Sequence, residues 1–208
     1  MNLAEARLAV RTATDLDATD ETDSGVTGVQ LNAWIDTEHK KWRRKLAHLA
    51  PSAFATTGIN QALTVEPFTL TKPDDFDELI RVERFVNPRW FPIEASDELN
   101  IDSGPLAFRE EAGGFVVGPR PYATGKTFRL IYVPKATDLT ADDDEFETPD
   151  MFDDCITESV AARVRIRRDD DPNPHLALAK MCWDEQSRLY RRRHGKHGRP
   201  GLRIVRGL

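Results

Sequence analysis

Few residues in this chain have the types and spacing that chemistry needs, and each fails for a specific reason. Ala123-Thr124-Gly125-Lys126-Thr127 ends in the Gly-Lys-Thr of a phosphate-binding loop. That loop requires another glycine five positions before its second one, where this chain has Arg120, and it requires a helix next, so that N-terminal amides can hold phosphate. A β-rich run, Phe128 to Val133, follows instead, so the stretch reads as a hairpin turn. The five histidines are His39, His48, His175, His194 and His197. None shares a face with a cysteine or carboxylate at ligand spacing, and the last two sit among cations that repel a metal. Asp142-Asp143-Asp144-Glu145 lacks the alternating ligands and turn glycine of a calcium loop. No serine or cysteine occupies a nucleophile elbow. Neither an enzyme nor a metal or other cofactor is therefore expected.

What remains is charge. The 208 residues carry 29 basic and 35 acidic side chains. Eight of the basic ones lie from Arg188 onward with no acid among them, which leaves 21 basic against 35 acidic residues, a net of −14, in the rest of the chain. A basic terminus on an acidic body suits an anionic partner: nucleic acid, or an acidic protein surface such as another copy of this body. Hydrophobic residues make up 39%, enough for a core, and no run approaches the 18 or so apolar residues of a membrane span. The N-terminus has no basic then apolar leader, so neither membrane insertion nor secretion is expected. Two cysteines, Cys155 and Cys182, are too few to staple a chain of this length and read as reduced core residues on facing helices.

The elements that carry these residues follow from periodicity. Leu3, Ala6, Leu8 and Val10 give residues 2–13 modest helical character, broken by the polar run from Asp15 to Gly25. Thr27 is an N-cap for the strongest helix, in which Leu31, Trp34, Ile35, Trp42, Leu46 and Leu49 recur at helical spacing before Pro51 ends it. From Leu63 to Val133, short alternating runs punctuated by Gly, Pro, Asn and Asp predict an antiparallel sheet or small sandwich of five to six strands. Beyond the acidic link Asp142 to Glu147, Thr148-Pro149 starts a helix with a stripe of Phe152, Ile156, Val160 and Val164. A turn at Pro172-Asn173-Pro174 opens the last helix, striped by Leu176, Lys180, Trp183, Ser187 and Tyr190. Trp34, Trp42 and Trp183 fall on apolar faces and read as core. So short a turn predicts antiparallel packing of the last two helices, and the glycines from Gly195 onward forbid further helix. The expected fold is α+β: an antiparallel helical bundle from residues 1–60 and 136–194, an inserted β region over 61–135, and an extended basic tail over 195–208.

The order of elements, with Trp34 to Leu49, Leu130-Ile131-Tyr132-Val133-Pro134, Asp142 to Glu147, Pro149-Asp150-Met151-Phe152, Asp169 to Pro174, Leu176 to Tyr190 and Gly195 to Leu208, resembles the head-to-tail adaptor, or connector, proteins of tailed bacteriophages. The resemblance covers the chain after residue 27 and is strongest over 128–190. It implies a structural virion protein at the head-tail interface, made in the host cytoplasm. Copies would form a homo-oligomeric ring, commonly of twelve, docked under the portal protein. The ring would extend the channel, through which double-stranded DNA would pass without sequence-specific binding, and meet the tail or the next connector.

The residues expected to bind the portal or a neighbouring subunit are at the C-terminus. Arg191, Arg192, Arg193, Lys196, Arg199, Arg203 and Arg206 can pair with carboxylates, while Leu202, Ile204, Val205 and Leu208 offer apolar surface, with Leu202 to Val205 able to add as a strand to a sheet edge. The competing reading is a small nucleic-acid-binding protein that uses the same tail.

Overall fold

Helix ends show most directly how local sequence sets this architecture. In the computed structural model, which describes residues 1–16 and 25–194, helix α1 (Leu3–Thr14) begins with Asn2 accepting from the Glu5 amide while Glu5 accepts from the Asn2 amide. It ends at Asp15, whose φ of 53° places it in the left-handed region. Thr27 and Gln30 form the same reciprocal cap on α2 (Gly28–Leu49), which ends before Pro51. The chain then forms eight strands and one short helix: β1 (Thr56–Thr57), β2 (Gln61–Leu63), β3 (Thr69–Thr71), β4 (Phe76–Val86), β5 (Arg89–Ala95), β6 (Ala107–Glu111), β7 (Gly114–Gly118), α3 (Arg120–Ala123) and β8 (Lys126–Pro134). A 3-10 turn (Asp150–Phe152) leads into α4 (Asp153–Arg167), and α5 (Asn173–His194) closes the described chain. Two compact units result, one from Met1–Ala50 together with the chain from Ala136 onward, the other Pro51–Lys135.

In the helical unit, α1, α2 and α5 all pack on α4. The expected stripe of Phe152, Ile156, Val160 and Val164 is fully buried, but so are Cys155, Ala161 and Ala162 on its other faces. A single stripe is thus too little for α4. Its small side chains admit a neighbour on several sides, which makes it the centre of the unit. Glu158 meets His175, Cys155 meets Cys182 and Phe152 meets Tyr190, a pairing in which α4 and α5 run in opposite directions. Cys155 and Cys182 are joined by a disulfide across Cα atoms 5.6 Å apart, so the reading of them as reduced thiols is corrected. Counting cysteines does not reveal it. Their placement on two packed helices at bonding distance does.

On α5 the buried residues are Ala179, Ser187 and Tyr190, whereas Leu176 is 48% exposed and Lys180 is on the surface. The stripe was expected to begin at Leu176, but Ala179 can approach α4 more closely than a leucine can. Of the three tryptophans read as core, Trp42 is buried, while Trp34 and Trp183 are half-buried.

The other unit is one mixed sheet in the order β1-β8-β4-β5-β6-β7-β3, with β2 also on β8. The sheet curls until β3 comes near β2 and β8, enclosing Phe68, Leu70, Val82, Phe115, Phe128 and Leu130. Six strands, β3 to β8, fall within the 63–133 range for which five to six were expected; the other two, β1 and β2, lie at or before its start and are too short to show alternation. The pairing is not purely antiparallel: β5 and β6 run parallel, Glu94 opposite Ala107 and Ala95 opposite Phe108. A crossover over 96–106, with Gly104 at φ 111°, permits this.

Candidate partner-binding site

Arg191, Arg192 and Arg193 lie exposed in the last turn of α5, where the helix dipole favours cations. Tyr190 fixes that turn. It is buried edge-on to Phe152 at 5.7 Å and meets the tilted His194 ring at 4.4 Å, and burial raises its phenol pKa. The structure thus brings the three arginines together at one helix end. The remaining expected contacts, Lys196, Arg199, Leu202, Arg203, Ile204, Val205, Arg206 and Leu208, lie outside the described residues.

The opposite charge is gathered in the link before α4. Asp142, Asp143, Glu145 and Asp150 are exposed there, and Asp154 is exposed in the first turn of α4. This lobe is held at both ends. The Leu3 and Ala4 amides donate to the Asp144 and Asp142 carbonyls, and Arg7 pairs with the Asp142 carboxylate. The Thr140 and Ala141 amides donate to the exposed Asp144 carboxylate and lower its pKa.

Against α2, the Leu139 amide donates to Asp36 at 3.0 Å, Lys40 joins Asp36 to Asp138, and Arg43 pairs with Glu147. The hydrogen bonds that Lys40 donates to Asp138 and Asp36 raise its pKa. The Glu147 amide donates to His39 Nε2 at 3.0 Å, and the His39 ring stacks on Phe146 at 5.1 Å. His39 is fully buried, and its Nδ1 has no hydrogen-bond partner among the described residues. Burial lowers its pKa, and the nearby Glu147 and Asp36 carboxylates only partly offset that, so the ring is neutral near pH 7. Burial alone would raise the Glu147 carboxyl, but bonds from Thr137 and Arg43 outweigh it and hold the group below its ordinary value.

Sequence reasoning missed His39, Arg43 and the buried Glu38, which accepts from Lys41 at 2.7 Å and from Arg163 at 2.6 Å. A signal was present. All three fall on the α2 face that carries Ile35, Trp42 and Leu46, where a polar side chain must find a partner.

The Gly-Lys-Thr stretch forms no phosphate cradle. Gly125, at φ 67°, donates its amide to the Leu63 carbonyl at 2.7 Å, and strand β8 follows at once. It joins α3 to β8, which are not two paired strands, so the expected hairpin is corrected to a helix-to-strand turn. Among the described residues no three His, Cys, Asp or Glu side chains are grouped to hold a metal ion, and no described helix is long and apolar enough to cross a membrane.

Among the described residues these charged groups fasten one part of the chain to another. A model of the SU10 adaptor protein matches residues 1–200, and the chain belongs to that family of phage adaptor proteins. No curated protein matches the chain.

Proposed function

We propose that copies of this chain assemble as a ring, commonly twelve in such adaptors, under the portal of a phage head, extending the DNA channel and joining the capsid to the tail or the next connector. The family match over residues 1–200 carries this reading. The separation of charge supports it: arginines close α5 while an acidic lobe precedes α4. In this reading the helical unit is an antiparallel bundle, and the segment from Arg191 to Leu208 docks on the portal or a neighbouring subunit. Ordering such a segment costs roughly 1–2 kcal/mol per backbone residue. Pairing of Arg199, Arg203 and Arg206 with carboxylates and burial of Leu202, Ile204 and Val205 offset that cost. Exposed carboxylates facing the channel repel phosphate over about a Debye length, near 8 Å at physiological salt, so a duplex slides without sticking.

Electron microscopy of portal-bearing heads incubated with the full chain tests this directly. A ring of density under the portal is expected, and loss of that ring when residues 195–208 are deleted. Heads that stay bare, together with tight duplex binding by the chain alone at physiological salt, would favour the nucleic-acid-binding reading instead.

A further inference from the structure

We infer that the outward faces of α1 and α5 are two halves of one contact, made between neighbouring copies of this chain. The inference rests on the ring reading and adds to it which surfaces meet. Both helices turn their buried side to α4: α1 through Leu3, Ala6 and Val10, α5 through Ala179 and Tyr190. Their opposite sides carry large apolar side chains among the charges that a solvent-facing helix side normally shows alone. Leu8 on α1 is 68% exposed and Met181 on α5 is 66% exposed.

Each exposed residue sits in a shallow groove with charged side chains close by. Leu8 lies with Leu16, Arg7 and Arg11, and Asp15 lines the end of the same groove. Met181 lies with Leu189, Asp184 and Glu185, and the same groove continues to Arg188 and Arg192.

The order of these groups fixes the match. Along α5 an apolar residue is followed by acids and then by bases: Met181, then Asp184 and Glu185, then Arg188 and Arg192. Along α1 read backwards, Leu16 and Asp15, whose carboxylate pairs with Arg165 of the same chain, come first, then Arg11 with Leu8, and Arg7, then Asp142, which Arg7 touches, and Asp143. Laid antiparallel, the helices place Met181 on the leucines, the α5 acids on Arg11 and Arg7, and the α5 arginines on the acidic lobe. The stretch from Met181 to Arg192 spans about 16 Å at 1.5 Å per residue, which α1 and the lobe bonded to its first turn can cover. A copy of α1 against another α1 would instead oppose Arg7 and Arg11 with themselves. Because the two faces are different surfaces of one unit, the contact is head-to-tail, the kind of contact that builds a ring when its rotation closes rather than stopping at a dimer.

Charge reversal and restoration test this with full-length protein on portal-bearing heads. Glu185→Arg and Arg11→Glu, each alone, should lower ring occupancy at a fixed protein concentration by at least about tenfold. The double variant restores an opposite pair at every contact and should return to within about threefold of the unmodified chain. Its recovery also shows that neither substitution prevents folding, and circular dichroism on the singles gives the same check. Single variants that assemble normally overturn the inference. So does a double variant no better than folded singles, and so does sensitivity to Glu185→Arg without sensitivity to Arg11→Glu, which would indicate α5 against α5. If the unmodified chain forms no ring, the functional reading falls and this inference falls with it.

Discussion

Replacing Trp42 with alanine probes the centre of the helical unit. The indole is 4% exposed, its ring lies 5.1 Å from Trp183, and its Nε1–H donates to Ser159 Oγ at 3.2 Å. Truncating a buried tryptophan costs about 3–5 kcal/mol. Loss of the hydrogen bond adds about 1 kcal/mol. The Ser159 hydroxyl keeps its own acceptor, the Cys155 carbonyl at 2.7 Å, so no donor is orphaned. The expected total is about 4–6 kcal/mol, a large share of the 5–15 kcal/mol that holds a typical domain. Trp42→Phe keeps the ring contact and should lose only about 1–2 kcal/mol. Trp34→Ala, at a half-buried position, should lose about 1–2 kcal/mol. Urea unfolding followed by circular dichroism gives the three values by linear extrapolation. Equal losses at Trp34 and Trp42, or a loss below about 1 kcal/mol for Trp42→Ala, would refute this account of the core.

Burial lowers the His39 pKa, so its contribution to stability is fully present above the ordinary value of 6.5 and is lost as pH falls through the depressed value; the melting temperature should therefore drop from pH 7 to pH 5, and less steeply in His39→Gln, whose amide oxygen can still accept from Glu147. Reducing the Cys155–Cys182 bond with dithiothreitol should destabilise the helical unit by about 2–4 kcal/mol, seen as a lower urea midpoint, and no change in midpoint would show that the bond constrains nothing. A methyl group at Gly114 would fall on the Leu70 carbonyl oxygen and within 2.9 Å of Thr69 Cγ2, so Gly114→Ala should part β3 from β7, and hydrogen exchange of the Leu70 and Phe115 amides should accelerate by at least about tenfold, whereas Gly113→Ala, with open space, should leave exchange unchanged.

The parts of the fold legible in the sequence were those set by contacts close along the chain. Thr27 and Pro51 bracket α2 because a cap and a missing amide act on their own turn. The mixed α and β composition and the central placement of the strands were equally plain. Distant partners were not legible. Leu176 has the apolar character of a core residue, but whether α4 is near enough to cover it depends on Ala179, three residues on. The β5–β6 pair carries no local mark of parallel direction, since an alternating strand pairs either way. His39 and Arg43 looked like ordinary members of a basic helix until the Phe146 and Glu147 that occupy them were placed. At the basic terminus, the sequence gathered the charge and the structure placed Arg191 to Arg193 on a helix end.

The pairing of β1 with β8, Thr56 opposite Tyr132 and Thr57 opposite Ile131, brings the first and last strands of the Pro51–Lys135 unit to one strand spacing, about 4.8 Å. The polypeptide thus enters and leaves that unit through a single doorway. An inserted module with adjacent ends asks its host only for a short gap between two residues, so evolution can lengthen its loops, resurface it or exchange it for another without disturbing the helices on either side of the gap. Selection on whatever this module touches can therefore proceed separately from selection on the helical unit. Related chains are expected to diverge fastest between the end of α2 and the start of the acidic link.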